Sequence, residues 1–218
     1  MPVVLEPFGD AGWRIRLPAN ANARGVLDAL RALPGVEDAV VAEGFAVVAF
    51  DPARPPPGIR ETVERALGGS AASAVPREYT IRARYDGPDL AEVAALAGLT
   101  VRELIALHTG ASYVVAAVGF LPGFAYLRGL DPRLVVPRRP SPRPRVPALS
   151  IGLAGPYTGV YPFASSGGWN LVGTAVDFVA FDAATGAALA VGDRVRFEDA
   201  IDPEGESAGV PHARRSTP

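Results

Sequence analysis

The spacing of apolar residues in the first third of the chain predicts a small unit that mixes short strands and helices. Helices are expected over 22–33 and 58–67, because apolar side chains recur there every three to four positions. Four strands are predicted around them, over 3–8, 12–17, 36–42 and 45–50. This order predicts an α+β domain at the N-terminus.

A second unit follows, in which strands dominate. The pattern predicts one strand, two short helices and then further strands, over 78–85, 90–97, 101–108, 112–120, 149–154, 170–174, 176–182 and 194–198. Asp89 is placed to cap the first helix, and Thr100 with Glu103 forms a capping box for the second. Many short strands separated by glycine and proline turns indicate a closed, mainly-β barrel.

Small residues separate the two units. The stretch 68–75 reads Gly-Gly-Ser-Ala-Ala-Ser-Ala-Val, a composition typical of a linker. The sequence therefore predicts an α+β domain over 1–70 and a barrel domain over 76–202. The tail over 203–218 has little to bury and is expected to be mobile.

Composition excludes several classes of protein. The 218 residues are 49% hydrophobic with a net charge of −2, which favours packed cores and argues against nucleic-acid or membrane-surface binding. No apolar run approaches the roughly 18 residues of a membrane span. The start of the chain lacks a basic stretch followed by an apolar one, so the expected location is the cytoplasm.

Two absent residue types limit the chemistry. The chain has no cysteine, and all 21 of its basic residues are arginine. A thiolate nucleophile, a Schiff-base lysine, a biotin-carrying lysine and a P-loop are therefore excluded. His108 and His212 are the two histidines, so no histidine-rich metal site is expected, and we predict no metal ligands on this chain.

The arginines are distributed unevenly. No acidic residue lies between Asp131 and Asp177, whereas this interval holds five arginines. Four of them belong to the segment 137–147, PRRPSPRPRVP, where proline keeps the backbone extended. Arginine without a nearby acid commonly binds carboxylate or phosphate. A solvated connector explains the composition equally well, and the sequence leaves both interpretations open.

Three further features could belong to a site. The segment 165–170, SSGGWN, has a glycine pair that would let a ligand approach the backbone, although a tight turn with a packed tryptophan is the simpler interpretation. The segment 119–127, GFLPGFAYL, carries aromatic residues that could form a pocket wall or ordinary core. His108 ends a predicted helix, where it could carry protons or interact with the helix dipole.

The same segments carry a family resemblance. YDGPDLAEVAALAGLTVRELIALH over 85–108, GFLPGFAYL over 119–127, PRPRVPALSIGLAGPYTGVYP over 142–162 and SSGGWNLVG over 165–173 resemble the allophanate hydrolase subunit 1 family. This family includes the B subunit of 5-oxoprolinase, a sporulation kinase inhibitor and one half of the carboxyltransferase domain of urea carboxylase. The resemblance implies a cyclophilin-like barrel.

Family membership implies a function as well. It implies the B subunit of a heteromeric ATP-dependent 5-oxoprolinase, which shares a site with the C subunit, works with the A subunit, and is inactive alone. ATP, accompanied by Mg²⁺, would bind in the assembled complex. Matching motifs place catalytic roles on His108 and Asn170. They place substrate or anion binding on Phe120, Pro122, Gly123, Arg143, Arg145, Tyr161, Gly167, Gly168 and Trp169.

Some positions depart from the family pattern and leave the substrate open. Leu149 replaces a usual glycine, Asn170 replaces a usual glutamine, and Thr174 follows Gly173 in place of a basic residue. Two alternatives therefore remain. One is an inhibitor of a sensor histidine kinase, which would act as a protein-binding module. The other is subunit 1 of a urea or allophanate pathway.

Overall fold

An antiparallel sheet begins the fold. The computed structural model describes residues 3–18, 21–42, 44–68 and 76–200. Within the first three ranges, strands β1 (Leu5–Pro7), β2 (Gly12–Arg16), β3 (Val36–Ala42) and β4 (Phe45–Phe50) pair in the order β1-β2-β4-β3. Helices α1 (Ala23–Arg31) and α2 (Ile59–Gly68) pack their apolar stripes, which include Leu30 and Val63, into one hydrophobic cluster with the sheet.

The remaining elements follow residue 76. In chain order they are β5 (Glu78–Arg84), α3 (Leu90–Leu96), α4 (Val101–Gly110), β6 (Tyr113–Val118), β7 (Ala125–Arg128), β8 (Arg143–Val146), β9 (Ser150–Ala154), β10 (Tyr157–Val160), β11 (Ser165–Gly167), β12 (Asn170–Val176), β13 (Phe181–Asp182), β14 (Gly186–Ala187) and β15 (Arg194–Asp199). A short 3₁₀ turn, Pro132–Leu134, lies between β7 and β8.

These strands confirm the predicted barrel. In the described part of the chain, seven strands close in the order β10-β7-β6-β15-β5-β12-β9, with β9 pairing back to β10. The neighbours are antiparallel except β15 and β5, which run parallel. The two-stranded antiparallel sheet of β8 and β11 lies outside this ring. A second hydrophobic cluster fills the barrel, around fully buried residues such as Ile81, Leu127 and Phe197.

Several strand predictions were wrong or incomplete. The predicted strand over 176–182 does not exist as one element, because Asp177 has a φ of +55° and ends β12 one residue earlier. Strands β7 and β10 were not predicted. Each strand follows a tight turn, which contains Gly123 with a φ of +81° before β7 and Gly155 with a φ of +54° before β10. Each is four residues long, which is too short for a clear periodic pattern.

The two helix caps differ from each other. The capping box of Thr100 and Glu103 is confirmed, with both reciprocal bonds present. The predicted cap by Asp89 is wrong: this residue occupies the N-cap position of α3, but its side chain makes no bond to the helix. Its carboxylate is directed to arginine side chains and to β12 instead.

Two predictions concern residues that are not described. The linker falls largely on 69–75 and the tail on 203–218, both outside the described residues, so the boundary between the domains stays a prediction. Among the helices that are described, none combines the length and the apolar character needed to cross a bilayer.

Candidate functional site

A cavity of about 200 Å³ lies beside strand β11. Its walls come from the turn before β7, from the proline-rich segment before β8, and from the β11–β12 connection. The lining residues are Phe120, Phe124, Tyr126, Arg138, Pro142, Tyr161, Ser166, Gly167, Gly168 and Trp169. Pockets for drug-sized ligands usually measure about 300–1,000 Å³. This cavity therefore suits a smaller molecule and does not fit a whole nucleotide.

Phe124 is the centre of the aromatic wall. Its ring lies 5.0 Å from Tyr126 and 5.2 Å from both Tyr161 and Trp169, with steep edge-to-face angles at each contact. Such pairs stabilise by about 0.5–1.5 kcal/mol beyond the buried area. Phe124 and Tyr161 are each 1% exposed. The wall is therefore a rigid part of the core rather than a set of mobile side chains.

Glycines at the cavity are required by close contacts. A Cβ on Gly167 would collide with the hydroxyl of Tyr161, and one on Gly123 would lie 2.5 Å from the carbonyl oxygen of Ala180. Gly123 also has a positive φ, which other residues adopt only under strain. Gly167 therefore lets the backbone pack directly against Tyr161 of the aromatic wall, and Gly123 lets the turn before β7 pack against Ala180 and Phe181.

Behind the wall, two arginines meet one buried carboxylate. Arg139 donates from Nη1 to Oδ1 of Asp89 at 3.0 Å, and Arg143 donates from Nη2 to the same oxygen at 2.6 Å. The other oxygen, Oδ2, accepts the backbone N–H of Leu171 at 2.7 Å. Asp89 is 3% exposed. Two arginines of the acid-free interval therefore have an acidic partner, which comes from an earlier part of the chain.

The cluster nevertheless keeps an excess of positive charge. Arg139 has a second acidic neighbour in Glu92, at 3.7 Å. Arg138 and Arg145 are exposed and have no ion pair within the described part of the chain. The Nε atom of Arg139 and the Nη1 atom of Arg143 are buried without a hydrogen-bond partner among the described residues. The segment 138–145 thus carries four arginines, and two carboxylates, Asp89 and Glu92, lie close to two of them.

Tyr161 lines the cavity and lies near two of these arginines. Burial raises the pKa of Tyr161, while a hydrogen bond from the backbone of Trp169 and the nearby charges of Arg138 and Arg143 act in the opposite direction. The Tyr161 hydroxyl therefore stays protonated at neutral pH. It is a potential hydrogen-bond donor beside Gly167 on the cavity wall.

Asn170 supports the wall from outside the cavity. Its Nδ2 donates to the carbonyl oxygens of Pro137 at 2.8 Å and of Leu153 at 3.2 Å. The residue is 5% exposed and does not line the cavity. Its amide therefore ties the proline-rich segment to the barrel, and the catalytic role implied by the resemblance stays a prediction.

His108 lies inside the barrel and away from the cavity. Its Nδ1 is 2.6 Å from the hydroxyl of Tyr85, and its Nε2 is 3.0 Å from Oγ1 of Thr158. The side chain is completely buried, and burial lowers the pKa of His108 to about 3. The ring is therefore neutral at physiological pH. The structure does not bring it to the other predicted site residues, and its catalytic role also stays a prediction.

The predicted binding residues do not all line the cavity. Five of them line the cavity: Phe120, Tyr161, Gly167, Gly168 and Trp169. Pro122 and Gly123 form the adjacent turn, while Arg143 lies behind the wall and Arg145 is exposed.

Sequence reasoning missed the role of Asp89 as a partner of the arginines, because its position before a helix was explained by capping. The excess of unpaired arginines was the signal that could have prompted a search for a distant acid.

The described residues do not build a metal site. Among them, no three histidine or acidic side chains lie close enough together to hold a metal ion. Magnesium usually binds one or two carboxylates together with substrate phosphates. The cavity lining offers no carboxylate, so the residues present do not fit a magnesium ion unless a partner supplies the ligands.

The fold is a closed barrel with an aromatic cavity beside an arginine-rich segment, and sequence comparison specifies the family. Residues 3–189 match the carboxyltransferase domain, subdomain C and D. The chain belongs to this family. It is 35% identical over 194 residues to the 5-oxoprolinase B subunit of Bacillus subtilis (strain 168), a match that covers 78% of this chain and 80% of that protein.

Two further relatives support this assignment. The chain is 49% identical over 113 residues to the 5-oxoprolinase B subunit of Escherichia coli O157:H7, a match that covers 51% of each protein. The crystal structure of TTHA0988 superposes with a TM-score of 0.74 at 41% sequence identity. That match covers 88% of this chain and 41% of TTHA0988, so the chain spans less than half of that protein's length.

Proposed function

We propose that this chain is the B subunit of a heteromeric ATP-dependent 5-oxoprolinase, built on a cyclophilin-like barrel and contributing half of a site shared with the C subunit. In the complete assembly, which includes the A subunit, the ring amide of 5-oxoproline would open to glutamate as ATP is hydrolysed to ADP and phosphate. The name shared by the relatives in Bacillus subtilis and Escherichia coli supports this reaction.

The cavity is the observation that carries the proposal. 5-Oxoproline is a small ring with one amide and one carboxylate. A cavity of about 200 Å³ with aromatic walls suits the ring, and Arg138 in its lining suits the carboxylate. If the amide oxygen gains negative charge during ring opening, the same arginine and the Tyr161 hydroxyl can stabilise it.

The composition of the lining supports a site completed by a partner. Among the described lining residues, none is a histidine or a carboxylic acid, which are the usual general bases. His108 is enclosed in the barrel and neutral. The groups present can bind and orient a substrate, but a general base and the nucleotide site would come from another polypeptide of the assembly. Binding groups on this chain and a general base on another polypeptide would together form the shared site that we propose.

Reconstitution tests the proposal. The chain is expressed with candidate A and C subunits, and ADP release is measured with and without 5-oxoproline. We expect activity that depends on 5-oxoproline and disappears when any one of the three polypeptides is omitted. Urea and allophanate serve as competing substrates in the same assay. Strong 5-oxoproline-dependent ATP hydrolysis by this chain alone, or activity with urea instead, would contradict the proposal.

A further inference from the structure

Two of the walls of the cavity come from separate parts of the chain. One wall is the segment 138–142, and the other is the segment 166–169. They touch through the backbone, where Arg139 N–H donates to the carbonyl oxygen of Gly168 at 2.8 Å. The short pairing of β8 with β11 also joins them, but it is interrupted by a bulge between Ser165 and Gly167. The backbone contacts between the walls are therefore few.

Asp89 joins the same two walls from behind. Its Oδ1 holds Arg139, within the first wall, and Arg143, just after it, while its Oδ2 holds the N–H of Leu171, just after the second wall. The backbone N–H of Asp89 also donates to the carbonyl oxygen of Leu171 at 3.0 Å. A single carboxylate therefore bridges the two walls, in addition to the Asn170 amide, which holds Pro137 next to the first wall.

The chemistry of the contact requires a carboxylate. An aspartate accepts at both oxygens and carries a charge opposite to that of the arginines, whereas an asparagine has one acceptor oxygen and no charge. Hydrogen bonds to ionised groups are shorter and stronger than neutral ones. Asp89 is also almost completely buried, so it is shielded from salt and water. An asparagine at position 89 would leave two half-buried arginines without the charged acceptor that they share.

We propose that Asp89 is a positioning residue for the cavity: it aligns the two walls by holding Arg139, Arg143 and the backbone of Leu171. The interpretation of the cavity as a 5-oxoproline site rests on the proposed function, whereas the alignment of the walls does not. Asp89 does not line the cavity, so it acts through Arg139, Arg143 and the backbone of Leu171.

Trp169 provides a reporter that is independent of activity. The chain has two tryptophans, and Trp13 lies in the N-terminal sheet. In a Trp13→Phe background, the fluorescence comes from Trp169, which is 5% exposed and lines the second wall. If Asp89 aligns the walls, Asp89→Asn shifts the emission to longer wavelength and raises the acrylamide quenching constant about twofold, as expected for local opening.

Asp193 offers a matched control. It is 2% exposed, accepts hydrogen bonds from the side chain and backbone of Arg77 and from Ala190, and does not line the cavity. Asp193→Asn therefore removes an equally buried charge elsewhere in the barrel. We expect it to lower stability without changing Trp169. Equal Trp169 changes in both variants, or no change in Asp89→Asn, would overturn the proposal.

A milder variant covers the case in which Asp89→Asn does not fold. Arg139→Gln removes one of the bonds to Asp89 at a side chain that is 31% exposed. It should shift the Trp169 emission in the same direction by a smaller amount. If Asp89→Asn fails to fold and Arg139→Gln leaves Trp169 unchanged, the proposed alignment is wrong.

Kinetics in the assembled enzyme test the part that rests on the proposed function. Asp89→Asn should raise the KM for 5-oxoproline about tenfold and change kcat less, because a misplaced wall weakens binding. Asp193→Asn should leave both constants close to wild type. If the wild-type assembly does not respond to 5-oxoproline, the proposed function fails, while the Trp169 result still decides whether Asp89 aligns the walls. A Trp169 change with an unaltered KM would overturn the link to substrate binding.

Discussion

The Nδ1 atom of His108 lies 2.6 Å from the hydroxyl oxygen of Tyr85, inside a barrel that leaves the histidine no exposed surface. Phe197 packs against the same imidazole with ring centroids 4.5 Å apart. A neutral imidazole donates from one nitrogen and accepts at the other, so Tyr85 and Thr158 can satisfy both. Protonation would break this arrangement.

The first prediction concerns pH and His108. Burial lowers its pKa to about 3, whereas an unfolded histidine has a pKa near 6.5. Between these values the unfolded chain binds a proton that the folded chain does not, so stability falls as the pH drops below about 6.5. The contribution of His108 to the free energy of unfolding should decrease by about 2 kcal/mol between pH 7 and pH 5.

Urea unfolding of the wild type and of His108→Gln at both pH values measures this contribution. His212 is present in both proteins, so its titration cancels in the comparison. Parallel pH dependence in the two proteins would contradict the prediction.

Turnover in the assembled enzyme separates a structural role of His108 from a catalytic one. Loss of general acid–base catalysis typically lowers rates about 10²- to 10⁴-fold, and we expect the folded variant to lose less than that.

The second prediction concerns backbone strain at Phe120. This residue has a φ of +74°, and its side chain lies at the cavity with 59% of the residue exposed. A left-handed conformation costs roughly 1–2 kcal/mol for residues other than glycine. Phe120→Gly should therefore be about 1 kcal/mol more stable than Phe120→Ala, after allowing for the greater chain entropy of glycine.

Both Phe120 variants remove the ring, so their comparison isolates the backbone. Thermal unfolding of the two measures the difference, and equal stabilities would argue against strain. Both should raise the KM for 5-oxoproline to a similar degree, because the edge-to-face contact with Phe124, at 5.6 Å, and the ring at the cavity are lost in each. Strained residues often persist where function requires them.

Local features of the fold could be predicted well from the sequence. The capping box of Thr100 and Glu103, and the strands Val36–Ala42 and Phe45–Phe50, were predicted correctly because their signals lie within a few residues. Strands β7 and β10 were missed because they are short and follow glycine turns. The order of strands around the barrel depends on long-range pairing, such as β15 with β5, which no local pattern contains.

The candidate site was predictable in composition but not in arrangement. From the residues alone, the aromatic and glycine segments could form a pocket wall or ordinary core, and Phe120, Tyr161 and Trp169 do line a cavity. The bond between Asp89 and Arg143 joins residues 54 positions apart, so a scan for nearby acids could not find it. His108 was equally ambiguous, because the end of a helix can face either solvent or a core, and here it faces the core.

The third prediction concerns the turn that carries Phe120 and Phe124. A Cβ on Gly123 would lie 2.5 Å from the carbonyl oxygen of Ala180 and 2.7 Å from Cβ of Phe181. Gly186 has nearly the same φ, +83° against +81°, but nothing lies within 4 Å of its Cβ position. Gly123→Ala should therefore lose about 1–3 kcal/mol more stability than Gly186→Ala, since only the first is overpacked.

Chemical unfolding of the two alanine variants measures this difference. The φ contribution is nearly equal in both, so the remainder reports the collision alone. Gly123→Ala should also alter Trp169 fluorescence, because the turn carries Phe124, whose ring lies 5.2 Å from Trp169. Equal losses of stability in the two variants would mean that the contact between the turn and Ala180 relaxes without cost.

The fourth prediction separates the structural and the ligand-binding roles of the arginines. Arg143 donates to buried Asp89, whereas Arg145 is exposed and has no ion pair within the described residues. Arg143→Gln should lower the free energy of unfolding by about 1–3 kcal/mol, the range for a charged hydrogen bond. Arg145→Gln should change it by less than about 0.5 kcal/mol, as is usual for surface substitutions.

Binding in the assembled enzyme then distinguishes the two interpretations of the proline-rich segment. If its arginines bind an anionic substrate or nucleotide, both variants should weaken that affinity by about 1–3 kcal/mol. Arg145→Gln is the decisive variant, because its stability is unchanged and a loss of affinity therefore reports the ligand directly. Arg133→Gln is the matched control, since Arg133 bonds locally to Asp131 at 3.0 Å and does not line the cavity. Unchanged affinity in both Arg143→Gln and Arg145→Gln would favour a solvated connector, in which the positive charge keeps an exposed, proline-stiffened segment hydrated.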